Sequence, residues 1–575
     1  MKNFLLGFLI GLLFVLIAAG LLAYGAVHAG ERKVSIPDNA ALVLHLDGDL
    51  PEQPPVELPI PLLSQRQPPT MLEVWQMLRK AAVDSRIKAL VLEPRNLGIG
   101  WAKLEELHDD IVAFKKSGKP VYAYLHGAGS REYYVSTAAD RIYMAPEDEL
   151  DLKGLAVELM FFKGTLDKLG VDMEFEHIGK YKDAPDEFTR TTPTPETMEV
   201  MNAILDQYYG NLVSVMAESR KRTPDQIRAA MDNGPFVGKE AVANGLIDEL
   251  IYEDQMYGKL KDQIRTGIQR VGDQDYLHAQ VAGMEGSTKI AYIVGQGDIT
   301  RGGPNEQDSG DGITAFSMVR LLRRVANDSS IKGVIFRIDS PGGDGIASDD
   351  ILHAAKDLAA KKPMVISMSD LAASGGYFIA MTGDPIIAYP NTLTGSIGVF
   401  FGKPDLKGLY EKIGITSTTI KRGQFADIDT TTRPLNDVER QKLRAELEVF
   451  YRGFVERVAE ALKRPYNQVE PLAQGRVWVG AQARQNGLIS DLGGIDRAVD
   501  LIKQRLKIPA SQKISLVTYP PRRTWLDLLL SRSDDTAAID AAIEKHLNTL
   551  APGLPIHALL HGGVLRLMPY GINVH

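Results

Sequence analysis

The chain is written twice. The segment Asp84-Ser85-Arg86-Ile87-Lys88-Ala89-Leu90-Val91-Leu92 returns 244 positions later as Asp328-Ser329-Ser330-Ile331-Lys332-Gly333-Val334-Ile335-Phe336. Lys119-Pro120-Val121 returns as Lys362-Pro363-Met364 after 243 positions, and Asn244-Gly245-Leu246-Ile247-Asp248 as Asn486-Gly487-Leu488-Ile489-Ser490 after 242. A separation that drifts so little marks a duplicated structural unit. Whatever fold one half adopts, the other must adopt as well.

Each copy has the same order of elements. A short helical pattern leads to an apolar strand at residues 90–92 or 334–338. A second helix follows, then a strand after the Lys-Pro pair, at residues 121–125 or 365–368. Strands alternating with helices predict an α/β fold with a parallel, helix-covered sheet in each half. Met201, Ile204, Leu205, Tyr208 and Leu212 recur at helical spacing, as do Leu443, Leu447, Phe450, Phe454 and Val458; these stripes read as packing faces. The two units span residues 40–275 and 285–508. Residues 51–69 and 301–312, rich in proline and glycine respectively, read as loops. Residues 509–575 have no counterpart in the first half and their role is unassigned; within them, residues 525–530 suit a partner helix or a membrane-surface segment.

Composition removes several classes of function. A net charge of -8 with no basic run is not the footprint of a nucleic-acid binder. The absence of cysteine excludes disulfides, thiolate metal sites and a cysteine nucleophile. Residues 4–29 contain no Asp, Glu, Lys or Arg. About 20 apolar residues span a bilayer, whereas a signal-peptide core has only ~7–15. Residues 1–33 are therefore expected to be a single membrane anchor; the alternative is a cleaved signal peptide ending at Val27-His28-Ala29. Lys2 and Arg32-Lys33 flank the run and nearly balance, so the favoured orientation, inside at the N-terminus, is weakly dictated by charge.

Residues needed for folding should survive in both copies, whereas residues needed for chemistry can survive in one. The second half reads Asp339-Ser340-Pro341-Gly342-Gly343-Asp344 where the first reads Arg95-Asn96-Leu97-Gly98-Ile99-Gly100. A Pro-Gly-Gly turn brings bare backbone close to a ligand and can aim N–H groups at an anion; the plainer reading is a tight turn. Next, the second half reads Ala372-Ala373-Ser374-Gly375-Gly376-Tyr377 where the first reads Gly129-Ser130-Arg131-Glu132-Tyr133-Tyr134. Matching Tyr134 to Tyr377 sets Arg131 opposite Ser374. A serine among small residues at a strand-to-helix junction can expose its hydroxyl and offer the next N–H to an oxyanion; a helix N-cap is the equal alternative. The third difference runs the other way: Tyr181-Lys182-Asp183 in the first half faces Phe425 or Ala426 in the second.

A serine nucleophile needs a base. No histidine occurs between Ser374 and His546; His353, on the helix after the glycine pair, reads as a surface helix residue, and His126 and His177 of the first half are the remaining rivals. A lysine serves only when neutral, and burial favours that form. Most lysines are solvated surface cations; what raises Lys182, which the second half lacks, is the absence of an alternative base. Ser396, in Thr394-Gly395-Ser396-Ile397-Gly398-Val399, could hold the amine in line or be an ordinary turn serine.

These segments, in a doubled chain behind an apolar N-terminus, resemble the bacterial signal peptide peptidase A family in its long, two-repeat form. The resemblance covers roughly residues 40–508 and the anchor. It implies two tandem repeats of the crotonase and Clp-protease type, each a twisted parallel sheet with flanking helices. It also implies a Ser/Lys peptidase without metal or other cofactor, active outside the cytoplasm at the inner membrane on apolar signal-peptide remnants, as a homotetramer. On this resemblance Ser374 is the nucleophile, Lys182 the general base, Ser396 the residue that positions the lysine, and Gly343 and Gly375 the oxyanion donors. Asp339 and Asp344 depart from the asparagine and serine common in the family and are expected to face away from the site. Two rivals stand beside this reading: a crotonase-like acyl-CoA enzyme, which would use a carboxylate base and have no need of an anchor, and an inert membrane scaffold.

Overall fold

The computed structural model describes residues 35–54, 68–303, 312–521, 564–568 and 574. In the first half, Ala40–Asp47, Ile87–Arg95, Val121–Leu125 and Arg141–Met144 are successive parallel neighbours. Glu249–Leu250 and Gln269–Gly272 close the two edges. In the second half, Thr288–Gln296, Ile331–Ser340, Met364–Ala373 and Ile386–Ala388 repeat the order and the sense, with Asp491–Leu492 and Ile514–Tyr519 at the edges. Leu90, Val91 and Leu92, and Val334, Ile335 and Phe336, are fully buried. Strands covered on both faces read as unbroken apolar runs rather than alternations, which is how they appear in the sequence.

The shared residues do shared structural work. Thr70 accepts from Glu73 N while the Glu73 carboxylate accepts from Thr70 N, a capping box that opens helix Met71–Val83. Lys119 Nζ donates to the carbonyl oxygens of Ala81 (2.6 Å) and Asp84 (2.7 Å) at the end of that helix. Its copy Lys362 donates to those of Ile331 (2.8 Å) and Asp328. In both halves a lysine ammonium reaches the carbonyl oxygen of a helix C-cap, Asp84 or Asp328. The long helices Pro195–Arg220 and Asp437–Leu462 each carry a hydroxyl or amide N-cap, Thr194 and Asn436, and both end on a left-handed lysine.

The halves are joined through their interiors. Leu72 and Trp75 of the first half pack with Ile290, Tyr292, Ile335 and Val365 of the second. Arg337, fully buried, donates to Glu52 (2.8 Å) and Glu106 (2.6 Å), both from the first half.

A third sheet belongs to neither half alone. Its strands run in the order Gly312–Thr314, Asp298–Thr300, Gly342–Asp344, Val564–Leu567, Val399–Asp405, Asp172–Ile178. Asp172–Ile178 is the first half's contribution and pairs antiparallel with Val399–Asp405 along its whole length. The helix before it, Lys163–Leu169, recurs as Lys407–Ile413, each ended by a left-handed glycine. The second copy then fails to form the matching strand: residues 411–420 are exposed, including Ile413, Ile415 and Ile420. Among the described residues no helix is long and apolar enough to cross a membrane. The expected anchor, residues 1–33, lies outside them, as do residues 525–530.

Candidate active site

Strand Met364–Ala373 ends at Ser374, which takes φ 51 and ψ −114 before helix Gly375–Phe378 begins. A residue with a Cβ rarely occupies that region. The conformation is held from both sides: Ser374 N donates to Gly395 O (2.8 Å), and Ser374 O accepts from Phe378 N (2.8 Å). Ser396 also has positive φ, and its N–H donates to Arg476 O (2.7 Å).

The lysine arrives from the other half. After strand Asp172–Ile178 the chain turns at Gly179, with Tyr181 N on Gln474 O (2.9 Å) and Lys182 N on Gly179 O (3.1 Å). Lys182 Nζ then lies 3.0 Å from Ser374 Oγ, 3.0 Å from Ser396 Oγ and 3.3 Å from Ser396 O. Lys182, Ser374 and Ser396 are all fully buried. Burial disfavours the ammonium form, and a neutral amine at this distance can accept the Ser374 proton.

The two glycines expected to serve an oxyanion adjoin. A Cβ on Gly375 would lie 3.0 Å from Gly342 Cα and 3.1 Å from Gly343 N. Gly343 has φ 151, and a Cβ there would meet Ile299 O at 2.0 Å. Both flanking aspartates turn elsewhere. Asp344 accepts from Ile346 N and Ala347 N (2.8 Å each) and from Arg301 Nε (2.9 Å). Asp339 accepts from Leu371 N (3.1 Å) and lies 3.0 Å from Lys103 Nζ.

Three residues near the lysine were not singled out in the sequence. A Cβ on Gly475 would lie 2.6 Å from Lys182 Cβ, and one on Gly398 would lie 3.1 Å from Lys182 Cδ; both are glycine to admit the lysine stem. Asp183 is buried beside Lys182 and accepts from Thr197 Oγ1 (2.5 Å); burial pushes its carboxyl up to about 6. The rival bases are elsewhere. His126 is exposed and bound to Asp148, His353 is an exposed helix residue, and His177 meets Gly179 O. Lys180 lies over the Tyr181 ring, its Nζ 4.5 Å from the centroid.

One alignment from the sequence is corrected. Tyr133, not Tyr134, is the counterpart of Tyr377: each hydroxyl donates to a backbone oxygen (2.7 Å), that of Leu246 and that of Leu488. Counting back three residues from each tyrosine sets Ser130, the first residue of helix Ser130–Ser136, opposite Ser374, and the N-cap of that helix is Gly129. Arg131 therefore lies inside the helix, opposite Gly375 rather than Ser374, and Glu132 stands opposite Gly376.

Two short strands lie in one sheet beside these residues, Gly342–Asp344 and Val399–Asp405. The chain's own Val564–Leu567 runs antiparallel to both. Among the described residues no cluster of three His, Asp or Glu side chains is arranged to hold a metal ion.

A model of peptidase family S49 matches the chain twice, over residues 113–266 and 356–509. The chain is 34% identical to the chloroplastic serine protease SPPA of Arabidopsis thaliana, over 84% of this chain and 73% of that protein. It is 30% identical to Protease 4 of Haemophilus influenzae, over 85% of this chain and 83% of the relative. It is 29% identical to Protease 4 of Salmonella typhi, over 89% and 85%.

Proposed function

The chain belongs to peptidase family S49 and is a serine peptidase, and from that premise we propose that its catalytic pair is Ser374 and Lys182, one from each repeat. The observation that carries this reading is the 3.0 Å approach of Lys182 Nζ to Ser374 Oγ in a fully buried setting. Neutral Lys182 accepts the Ser374 proton as Oγ attacks the scissile carbonyl carbon. The N–H groups of Gly343 and Gly375 stabilise the tetrahedral oxyanion, each such donor being worth ~2.7–4 kcal/mol. The C–N bond breaks as the Lys182 ammonium returns its proton to the leaving nitrogen, leaving an ester on Ser374. Water then attacks that ester, passes a proton to Lys182, and the Ser374 oxygen leaves and is reprotonated. Ser396 fixes the amine between the two hydroxyls.

Substrates are extended apolar peptides, signal-peptide remnants among them, bound by strand addition between Gly342–Asp344 and Val399–Asp405. Support comes from Val564–Leu567, an extended segment that already pairs with both edges. Residues 4–29 anchor the chain in the inner membrane with the catalytic repeats outside the cytoplasm; their uncharged length supports this. The protein works as a homo-oligomer, a tetramer by resemblance. In one chain the first repeat's strand Asp172–Ile178 pairs with the second repeat's Val399–Asp405. The same step onward would lay residues 416–422 of one copy against residues 155–161 of the next, and both stretches have exposed apolar residues, Ile420 and Met160 among them.

Ser374→Ala and Lys182→Met are each expected to fold normally and to lose hydrolysis of an apolar peptide by at least about 10⁴-fold. Activity retained by the Lys182 variant would sink the pairing.

A further inference from the structure

We propose that Lys103 of the first repeat is a positioning residue for the second repeat's nucleophile and oxyanion turn. The inference rests on the Ser374 reading above.

Helix Gly345–Lys361 is capped by its own Asp344. The matching helix, Trp101–Lys115, begins 244 positions earlier and has Gly100 where that aspartate stands. Its cap comes from the other repeat. Asp370 Oδ2 accepts from Gly100 N (3.0 Å) and Oδ1 from Lys103 N (2.8 Å). Glycine is required there, because a Cβ would lie 2.4 Å from Asp370 Cγ. The segment opposite the Pro-Gly-Gly turn thus docks on the strand that ends in Ser374, four residues beyond Asp370.

Lys103 completes the joint. Its ammonium lies 3.0 Å from Asp339 Oδ2 and 3.8 Å from Asp370 Oδ2, with the side chain 4% exposed. Asp339 leads directly into Ser340-Pro341-Gly342-Gly343. The parallel ladder between the two strands breaks at this point: Ile338 pairs with Met368, and the next pairing is Ser340 with Ala372. Such an irregularity re-aims a strand end and has to be held by side chains. Asp339 Oδ1 takes up the N–H of Leu371, and Lys103 bridges the two carboxylates. Other charges face the cluster: Glu52 and Asp49 act on Lys103, and Arg131 on Asp370. Burial pushes the Asp370 carboxyl up to about 6 against the pull of Lys103. Without the ammonium the two side chains lose their bridge, whether they repel as carboxylates or Asp370 takes up a proton, and Gly343 and Ser374 shift relative to each other.

The test compares Lys103→Met, Lys103→Arg and Lys103→Met with Asp339→Asn in the full-length protein. It reads kcat, KM and the rate of fluorophosphonate capture at Ser374. Because a misplacement of about 1 Å costs on the order of 100-fold, Lys103→Met is expected to lower kcat and capture about 100-fold with KM within about threefold. Lys103→Arg keeps both rates within about tenfold, and Asp339→Asn recovers about tenfold in the Met background, since one uncompensated carboxylate is gone. Lys103→Met with kcat and capture within about threefold of wild type, and only its melting temperature lowered, would overturn the inference. If that variant does not fold, the double variant decides. Capture at least tenfold below wild type supports the inference, and capture at the wild-type rate overturns it. Ser374→Ala that still cleaves peptide would sink the nucleophile reading itself, whatever Lys103 does.

Discussion

Ser374 sits at φ 51 and ψ −114, a conformation costing on the order of 1–3 kcal/mol. The neighbouring glycines let the rest of the site close around it. Gly375→Ala would set a Cβ 2.8 Å from Ser348 Oγ and 3.1 Å from Gly343 N, wedging the two proposed oxyanion donors apart. It is expected to lower kcat about 100-fold with the fold retained; unchanged kcat would remove Gly375 from the oxyanion hole. Glu187 gives a pH prediction. Burial, and then the Asp183 charge, push its carboxyl up to about 8 from an ordinary value of 4.5. A folded value above the unfolded one favours the protonated form, so stability is unaffected below about pH 4 and declines as pH rises from 4.5 to about 8. Glu187→Gln should match wild type near pH 4 and exceed it above pH 8 by on the order of 3 kcal/mol. Urea midpoints with no pH-dependent difference would contradict this. At this scale the sequence was uneven. Ser374 stood out because the sequence alignment set Arg131 opposite it, and its glycines because the other copy lacks them. Gly398 and Gly475 did not, because they leave room for a lysine far away in the chain. The neighbouring tyrosines Tyr133 and Tyr134 could be told apart only by which hydroxyl reaches Leu246 O.

The elements divide by how they announce themselves. The parallel strands were legible as apolar runs and the long helices as stripes, because burial on both faces or on one face leaves those patterns. The third sheet was not. Gly342–Asp344 and Asp298–Thr300 are three residues each, too short for a pattern, and their partners come from distant segments. Yet this sheet carries the strands proposed to receive substrate. A substrate strand that pairs with Gly342–Asp344 has to displace Val564–Leu567. Deleting residues 564–575 is therefore expected to raise kcat/KM for an extended apolar peptide several-fold, chiefly through KM, since the competing strand is removed. Steady-state kinetics with KM unchanged would mean that substrate enters by another edge.

For the whole molecule, duplication means division of labour. The first repeat has Arg131 and Glu132 where the second has Gly375 and Gly376, and the second has no strand matching the one that delivers Lys182. The proposed site lies where Asp172–Ile178 of one repeat pairs with Val399–Asp405 of the other. The unpaired counterpart, residues 416–422, predicts how copies join. Ile415→Asp with Ile420→Asp changes two exposed residues and should leave the monomer folded while dissociating the oligomer in sedimentation velocity; an unchanged sedimentation coefficient would rule that contact out. The complementarity of the halves was visible in the sequence as three differences between copies. Their meeting point was not, because it depends on a strand exchange that only the three-dimensional arrangement reveals. The most direct test of the shared site is fluorophosphonate labelling followed by peptide mass mapping of the wild-type and Lys182→Met proteins. A single adduct on Ser374 in the wild type, and its loss in the variant, is the predicted result; an adduct on another residue, or equal labelling of Ser374 without Lys182, would contradict the account.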